Sequence, residues 1–319
     1  MSIVITGAAG FIGSNLVNEL NNLGQTDLIL VDFYNAFAKT WTYSLKKQKY
    51  NQIIEPNDFL NNYSKFNINQ IYHIGAISDT QVSDTSLYFK YNYDYTISLI
   101  SLFKKYSLNN DDSIFVNASS SAVYGNNNTG PLNAYALSKK MIDDYIISNY
   151  DNLDKKIISF RFFNTYGPNE YHKDKMSSMI YQLYNEYNSN KTFTIFEYGE
   201  QIRDHIYVKD LIFNILNYVK LKNYKYPVLD LGTGHPVSFN ELLNTIKLVI
   251  QDFEVLHAPI KFIPMPDRIR KVYQTYTKAK FKSDWNPIIN YDLKTGITDY
   301  YNILSACGLN GLRQEISTL

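Results

Sequence analysis

The stretch Ile3-Val4-Ile5-Thr6-Gly7-Ala8-Ala9-Gly10-Phe11-Ile12-Gly13 predicts the fold of this chain. Its apolar start is typical of a buried strand, and residues 11–23 have the periodicity of a helix. Between them, Gly7 allows a tight turn, Gly10 lets a pyrophosphate approach the backbone, and Gly13 lets the helix pack closely. The free N–H groups at a helix N-terminus attract anions. The stretch therefore predicts the phosphate loop of a dinucleotide site, with an ordinary turn of small residues as the alternative.

Apolar segments alternate with helical patterns through the first half of the chain, as in a parallel sheet built from strand–helix–strand units. Continuous apolar runs are expected of strands that are covered on both faces. The predicted strands are 3–6, 28–31, 70–74, 113–116 and 157–160. We therefore expect an α/β fold: a Rossmann-type doubly wound parallel sheet with a smaller C-terminal α/β substrate domain.

The alternation changes after Pro168. A helix is predicted over 176–187, a strand over 228–231 and a helix over 239–250, and three prolines interrupt the final third of the chain. We assign residues 1–164 and about 205–233 to the dinucleotide-binding domain, and about 165–204 and 234–319 to the substrate domain.

Composition excludes several classes of protein. The formal net charge of the 319 residues is 31 − 30 = +1, which gives no electrostatic reason to expect nucleic acid or an anionic membrane as a partner. Cys307 is the one cysteine, so neither an intrachain disulfide nor a cysteine-based metal site is expected. The single cysteine fits a reducing, cytoplasmic setting, and no metal ion is expected. Because the first strand starts almost at Met1, we expect no secretion signal.

Asp32 ends the second predicted strand, about 20 residues after the phosphate loop, where an acid commonly binds the adenosine ribose. Taken alone, Asp32 favours NAD. Lys39 lies further along and can neutralise a ribose 2′-phosphate, which admits NADP. The alternatives are a solvated turn residue for Asp32 and an exposed surface charge for Lys39.

Tyr135 and Lys139 are four residues apart and share one face of a predicted helix. A phenol has a pKa of about 10, and a nearby ammonium is expected to lower it so that the phenol can exchange protons with an alcohol. Ser119, Ser120 and Ser121 follow the predicted strand 113–116, where a hydroxyl can orient that alcohol. A surface helix pair and a polar turn are the corresponding alternatives.

With the glycine loop, these residues resemble the extended short-chain dehydrogenase/reductase superfamily over nearly the whole chain. More narrowly, the chain is similar to the ADP-L-glycero-D-manno-heptose 6-epimerase family. The stretches that carry this resemblance are 73–78 with Asn92, 160–168 with Glu170, His172, Lys173 and Met176, Phe196-Glu197, 203–208, 264–267, and Tyr273-Gln274 with Thr277.

The resemblance implies an enzyme that inverts C6 of an ADP-linked heptose used in lipopolysaccharide, with tightly held NADP and no net redox change. Ser120, Tyr135 and Lys139 are implied as the hydride-transfer triad, and Lys173 as a second acid/base. Two acid/base groups are needed because the C6 carbonyl must turn its other face to the cofactor, so that its oxygen occupies two positions. The alternatives for Lys173 are a loop charge and a phosphate contact.

Further site residues follow from the same resemblance. Those implied for the cofactor are Gly7, Gly10, Phe11, Ile12, Gly13, Asp32, Phe33, Lys39, Gly75, Ala76, Ser78, Asn92, Lys139 and Thr165. Those implied for the nucleotide-sugar substrate are Asn164, Lys175, Phe196, Glu197, Arg203 and Tyr273. Phe33 replaces a polar residue often found after the strand-ending acid, so NAD stays open beside NADP. Lys175 replaces a small polar residue near the substrate, so the sugar specificity also stays open. A homo-oligomer, such as a pentamer, is also implied.

Two competing functions stay open. The first is another nucleotide-sugar enzyme of the superfamily, such as a 4-epimerase or a 4,6-dehydratase. Dehydratases of this kind place Asp-Glu after the triad hydroxyl, whereas Ser121-Ala122 follows Ser120 here. The second is a non-catalytic NAD(P)-binding protein, which the intact triad disfavours.

Overall fold

The computed structural model of the chain describes residues 2–40, 44–80, 82–107, 112–126, 128–222, 224–251 and 258–307. The strands are β1 Ser2–Thr6, β2 Leu28–Val31, β3 Gln52–Ile54, β4 Ile68–His73, β5 Ile114–Ser120, β6 Ile157–Phe162, β7 Asn164–Tyr166, β8 Phe193–Phe196, β9 Ile202–Arg203, β10 His205–Tyr207, β11 Val228–Leu231, β12 Val237–Ser238 and β13 Ile260–Ile263. The helices are α1 Phe11–Asn22, α2 Tyr34–Thr40, α3 Pro56–Asn62, α4 Ser86–Tyr88, α5 Tyr95–Tyr106, α6 Ala134–Asn149, α7 Met179–Asn190, α8 Val208–Lys220, α9 Phe239–Gln251, α10 Asp267–Arg270 and α11 Leu293–Cys307.

A seven-stranded sheet forms the centre of the fold, with its strands in the order β3-β2-β1-β4-β5-β6-β11. Each neighbouring pair in this sheet is parallel. The order reverses at β1, which lies between β2 and β4. In open α/β sheets, ligands bind outside the carboxyl ends of the strands at such a reversal. The predicted fold class is thus confirmed.

Side chains of each central strand alternate between two apolar cores, one on each face of the sheet. Ile5 and Leu30 belong to one core, while Val4 and Ile29 belong to the other, and all four are at most 2% exposed. Successive strand residues point to opposite faces, so a strand covered on both faces must be apolar at every position. The continuous apolar runs therefore report a sheet buried between two helical layers.

Short two-stranded sheets lie outside the central one: β7 with β10, β8 with β13, and β9 with β12. Strand β11 joins the central sheet beside β6. The domain boundaries themselves stay a prediction. Within the described ranges, no helix has both the length and the apolar character needed to cross a bilayer.

Two of the differences between the predicted and the observed elements affect the site. The strand expected over 113–116 extends to Ser120. Ser120, which carries the predicted site hydroxyl, is therefore the last residue of β5 and not part of a following turn. The helix expected from 176 begins at Met179, because Ser178 caps it by accepting the Tyr181 N–H at 3.2 Å. The residues before it, Tyr171–Met176, form a separate 3₁₀ segment.

Candidate active site

A cleft of about 980 Å³ opens at the carboxyl ends of β1, β2, β4 and β5. Fifteen of the residues predicted for the site line it: Gly7, Gly10, Phe11, Ile12, Gly13, Asp32, Phe33, Gly75, Ala76, Ser78, Ser120, Tyr135, Lys139, Thr165 and Lys173. The fold thus brings together residues that are up to 166 positions apart in sequence (173 − 7).

The phosphate loop needs its glycines. Gly7 has a φ of 67°, and a Cβ there would lie 2.5 Å from the Gly75 Cα, on the neighbouring strand end. A Cβ on Gly13 would lie 2.1 Å from the Gly7 oxygen. Both distances are too short for any larger residue, so the turn and the helix packing predicted from the glycine spacing are present. Gly10 directly precedes α1, whose N-terminal N–H groups are suited to bind a pyrophosphate.

Asp32 directly follows β2, and backbone donors fix its carboxylate. Oδ2 accepts the Ala9 N–H at 3.0 Å and Oδ1 accepts the Phe33 N–H at 2.9 Å. Burial raises the pKa of Asp32, and the two backbone hydrogen bonds act in the opposite direction. The ring of Phe33 is 44% exposed at the cleft. The side chain of Lys39 lies outside the described residues, so its role stays a prediction.

His73 joins the ends of β1 and β4 from beneath the cleft. Its two ring nitrogens lie 2.6 Å from Thr6 Oγ1 and 2.7 Å from Thr96 Oγ1. Burial, helped by the nearby Lys139, lowers the pKa of His73 to about 3, so the ring is neutral at physiological pH. Because Thr6 Oγ1 also accepts the Gly75 N–H at 3.2 Å, this chain of side chains sets the spacing of the two strand ends.

Tyr135 lies in the first turn of α6, with its hydroxyl facing Ser120. The helix starts there because Asn133 caps it, accepting the Ala136 N–H at 2.9 Å. The Ser120 hydroxyl lies near enough to the Tyr135 phenol to act on its pKa, which it lowers. Ser120 ends β5, and its hydroxyl oxygen accepts the Ala122 N–H at 3.2 Å. A strand end and a helix start thus hold the phenol and the hydroxyl together.

Lys139 is buried one turn further along α6. Its Nζ donates to the Ala118 carbonyl of β5 at 2.6 Å. Burial lowers the pKa of Lys139 to about 8, and the carboxylate of Asp143, a further turn along the same face, opposes that shift. The ammonium is therefore held at the wall of the cleft, with a pKa below the usual value for a lysine.

The net shift of the Tyr135 pKa is upward in this arrangement, not downward as expected from the nearby ammonium. Burial raises the pKa of Tyr135, and the nearby Ser120 hydroxyl offsets only part of that rise. Removing a phenolate from water disfavours the charged form, a cost that the spacing of the two residues on a helix does not reveal.

Lys173 enters the cleft from the segment after β7. Its Nζ lies 5.7 Å from the centre of the Phe11 ring, in the first turn of α1. Burial lowers the pKa of Lys173, and the nearby carboxylate of Glu170 opposes this. The cleft is therefore lined by the phenol of Tyr135 and by a second potential proton donor, Lys173.

Asn92 lies outside the cleft lining and acts on the site indirectly. It is 1% exposed, and its amide pairs with the backbone of Ile77, accepting the N–H at 2.8 Å and donating to the carbonyl at 3.1 Å. It also donates to Ser138 Oγ at 3.2 Å. Asn92 therefore connects α6 to the 74–79 segment of the cleft wall, and the predicted direct contact with the cofactor is not supported.

Several residues predicted for the substrate also lie outside the cleft lining. Asn164 Oδ1 accepts the Thr277 hydroxyl at 3.1 Å, and Lys175 is exposed. Phe196 ends β8, and the next residue, Glu197, accepts the Met265 N–H at 2.9 Å and pairs with Arg270 at 2.6 Å.

Arg203 is buried between two rings, with its guanidinium 5.0 Å from the Tyr273 ring centre and 5.7 Å from that of Phe239. It donates to the Ile202 carbonyl at 3.0 Å and to the Gln274 carbonyl. The Arg203 guanidinium is therefore bound to backbone carbonyls and does not line the cleft.

The Tyr273 segment is nevertheless attached to the loop that follows Ser120. Asn126 donates to the Tyr273 carbonyl at 3.1 Å, and Gln274 Nε2 donates to the Ser121 and Gly125 carbonyls at 3.1 and 2.9 Å. Arg203 and Tyr273 therefore lie beyond one rim of the cleft, on the side of Ser120.

The sequence reasoning missed three supporting residues: Thr6, Thr96 and Asn133. Asn133 carries a local signal, since an asparagine just before a helical run is a common N-cap. Thr6 and Thr96 give no such signal, because their shared partner is His73, which lies far from both in sequence.

The cleft residues fit a nicotinamide dinucleotide. Gly7 and Gly13 allow the tight turn and the close packing that bring the N-terminus of α1 to the cleft, and Asp32 stands at the end of β2. Ser119 Oγ lines the cleft, is buried, and has no hydrogen-bond partner among the described residues. An unsatisfied buried hydroxyl is costly unless a ligand pairs with it.

Comparison with known proteins agrees with this geometry. Residues 3–225 match the model of the NAD dependent epimerase/dehydratase family. The chain belongs to this family. A relative from Brachyspira hyodysenteriae, named ADP-L-glycero-D-manno-heptose-6-epimerase, is 33% identical, with 96% of this chain and 98% of the relative covered. A relative of the same name from Fusobacterium nucleatum is 32% identical over 87% of this chain and 89% of its own.

A solved structure agrees with the family assignment. The Helicobacter pylori ADP-L-glycero-D-manno-heptose-6-epimerase superposes with a TM-score of 0.78 at 27% identity, covering 96% of each chain. As a member of an NAD-dependent family, the chain is an epimerase-type enzyme whose cleft takes a nicotinamide dinucleotide.

Proposed function

We propose that this chain is an ADP-L-glycero-D-manno-heptose 6-epimerase that works with bound NADP. The observation that carries the proposal is the convergence of Tyr135, Lys139, Ser120 and Lys173 on one cleft. The printed names of the relatives at 33% and 32% identity support the choice of substrate.

The dinucleotide would lie along the phosphate loop. Gly7, Gly10 and Gly13 would take its pyrophosphate, Asp32 its adenosine ribose, and Lys139 the ribose next to the nicotinamide. When bound, the nicotinamide supplies the chemistry of accepting a hydride from C6 and returning it. NADP follows from the resemblance and is admitted by Lys39 in the sequence, whereas Asp32 and the exposed Phe33 leave NAD as the alternative.

Tyr135 would move the first proton. As a phenolate, Tyr135 would accept the proton of the C6 hydroxyl while C6 gives up its hydride, and the neighbouring Ser120 hydroxyl would hold the same oxygen in place. Burial raises the pKa of Tyr135. The phenolate therefore needs positive charge beside it during the step, and the Lys139 ammonium is the cation on the same helical face.

Lys173 would serve the second position of the sugar oxygen. After oxidation, the C6 carbonyl must present its opposite face, which moves its oxygen away from Tyr135. Burial brings the pKa of Lys173 down from its usual range, which makes its ammonium a better proton donor. Lys173 then protonates the oxygen as the alcohol of opposite configuration forms.

The nucleotide of the substrate would extend past the cleft rim toward Tyr273. Binding there requires Arg203 to exchange its bonds to backbone carbonyls for the substrate pyrophosphate, for which its guanidinium has the right shape. The same path would include four more predicted residues: Phe196, Glu197, Asn164 and Lys175.

We also propose a cytoplasmic homo-oligomer, such as a pentamer, because the resemblance implies one. The single cysteine, Cys307, fits a reducing compartment.

The deciding experiment is incubation of the purified chain with ADP-D-glycero-D-manno-heptose, with the configuration at C6 followed by NMR. We expect inversion to an equilibrium mixture without net consumption of cofactor. Turnover of a UDP-linked hexose at C4 instead would establish a 4-epimerase. Cofactor binding without turnover of either sugar would establish a non-catalytic dinucleotide-binding protein.

A further inference from the structure

The segment that carries Lys173 is held at both ends by one buried carboxylate, that of Glu170. Its Oε1 accepts the Gly167 N–H at 3.2 Å and the Ser178 hydroxyl at 2.8 Å, and its Oε2 accepts the Ser178 N–H at 2.5 Å. Glu170 is 1% exposed. Gly167 precedes the segment and Ser178 caps α7, so the carboxylate joins the entry of the segment to its exit.

Between these ends, the backbone has a defined course. The Lys173 N–H donates to the Glu170 carbonyl at 3.0 Å, and the chain then turns sharply at Asp174, whose φ is 44°. The Ser177 N–H and hydroxyl both donate to the Asp174 carbonyl, at 3.1 and 2.6 Å. This course directs the Lys173 side chain toward Phe11 and the cleft.

Glu170 also brings a negative charge close to the ammonium. Burial lowers the pKa of Lys173 and raises that of Glu170, and each group partly offsets the shift of the other. From other elements, the Phe11 ring of α1 faces Lys173, and the hydroxyl of Tyr300 in α11 faces Glu170. The ring of Tyr181 in α7 stacks on Tyr300 at 6.3 Å.

The other titratable groups of the segment differ in exposure. His172 lines the cleft beside Lys173, whereas Asp174 and Lys175 are exposed. Water screens exposed charges strongly. The buried Glu170 is therefore the neighbour whose charge acts on Lys173 most directly.

We propose that Glu170 is a positioning residue for Lys173: its carboxylate holds the segment that presents Lys173 to the cleft and supplies the counter-charge for the ammonium. This inference rests on the proposed function, in which Lys173 gives a proton to the sugar oxygen. Its physical content is a coupling between two side chains, which is measurable without turnover.

The test replaces the charge while keeping the shape. Glu170→Gln keeps the oxygen that accepts the Gly167 N–H and the Ser178 hydroxyl, replaces the oxygen that accepts the Ser178 N–H with an NH2 group, and removes the negative charge. Lysines are methylated with ¹³C-formaldehyde, and the Lys173 signal is assigned by its loss in Lys173→Met. We expect the pKa of Lys173 to fall by roughly one pH unit in Glu170→Gln. An unchanged pKa in the folded variant would overturn the proposal.

Glu186→Gln is the matched control. Glu186 lies in α7. Its carboxylate accepts both the N–H of Thr194, at 2.7 Å, and the Thr194 hydroxyl, in the same way that the Glu170 carboxylate accepts the N–H and hydroxyl of Ser178. We expect the pKa of Lys173 to be unchanged in Glu186→Gln. An equal shift in both variants would show a general effect of lost carboxylates and would reject a specific role for Glu170.

A reciprocal measurement keeps the test decisive if Glu170→Gln fails to fold. Coupling between two sites acts equally in both directions, so Lys173→Met must raise the pKa of Glu170, read from its ¹³C carboxyl signal. No change there would also overturn the proposal.

Turnover supplies a separate readout. In Glu170→Gln, the alkaline limb of the kcat profile should move to lower pH with the Lys173 pKa, whereas a purely structural defect lowers kcat equally at all pH values. If the wild-type chain does not invert C6 but the two pKa values remain coupled, the proposed function fails while the coupling of Glu170 and Lys173 stands.

Discussion

The ammonium of Lys173 lies 5.7 Å from the centre of the Phe11 ring, so the segment after β7 contacts the first turn of the phosphate-loop helix. A cation over an aromatic face is attracted to it. This contact places a proton donor at the wall of the dinucleotide cleft. The proposed second acid/base is therefore fixed relative to the cofactor loop rather than held on a free surface loop.

Tyr135→Phe should abolish epimerisation while leaving the dinucleotide bound. The variant removes only the hydroxyl that faces Ser120, whereas the phosphate loop and Asp32 are untouched. Loss of a positioned acid/base group costs about 10²–10⁴-fold in rate. Turnover is followed by NMR and bound cofactor by absorbance after denaturation. Wild-type turnover by Tyr135→Phe would refute the role of the phenol.

Lys173→Met should slow epimerisation by a similar factor, because the sugar oxygen loses its donor at the second position. Lys140→Met is the control, since Lys140 is exposed on α6 and pairs with Asp144 at 2.8 Å. We expect Lys140→Met to keep the wild-type rate. Equal rates in both variants would return Lys173 to the role of a loop charge.

Stability should depend on pH through Lys139. Its pKa is about 8 in the folded chain, below the value of about 10.4 for an unfolded lysine. Between these values the unfolded state binds more protons, so this group's contribution to the free energy of unfolding rises with pH. Urea titrations of the wild type and Lys139→Met measure it. Lys139→Met should stabilise the chain more at pH 7 than at pH 9.5, and a constant difference would contradict the buried-lysine account.

Phe33→Arg should shift the cofactor preference toward NADP by about tenfold, because a guanidinium binds a 2′-phosphate where the phenyl ring offers nothing polar. Fluorescence titrations with NADPH and NADH give the two dissociation constants. The control Leu23→Arg adds the same charge at an apolar residue that is 48% exposed at the far end of α1. A shift of equal size in both variants would mean that total charge, not position, is responsible.

Gly13→Ala should destabilise the fold by about 3 kcal/mol or prevent folding, because its Cβ would lie 2.1 Å from the Gly7 carbonyl oxygen. Gly24→Ala is the comparison, since its φ is 81° but nothing lies within 4 Å of the added Cβ. It should cost about 1 kcal/mol from backbone strain alone. Chemical denaturation gives both values, and a smaller loss for Gly13→Ala than for Gly24→Ala would contradict the close packing described.

The sequence predicted the elements whose cause is local. Strand β2 has the predicted bounds, because its continuous apolar run reflects burial on both faces. Helix α1 starts at Phe11 as expected from the glycine spacing. The placement of Tyr135 and Lys139 on one helical face likewise follows from residues four apart.

The sequence by itself thus determined the strand–loop–helix unit, the α/β class and the candidate triad, since each depends on neighbours along the chain. Only the tertiary structure decided that Thr6 and Thr96 share His73, that Glu170 joins Gly167 to Ser178, and that burial raises the pKa of Tyr135. Contacts between distant segments and the loss of water around a side chain arise from packing, which no local spacing encodes.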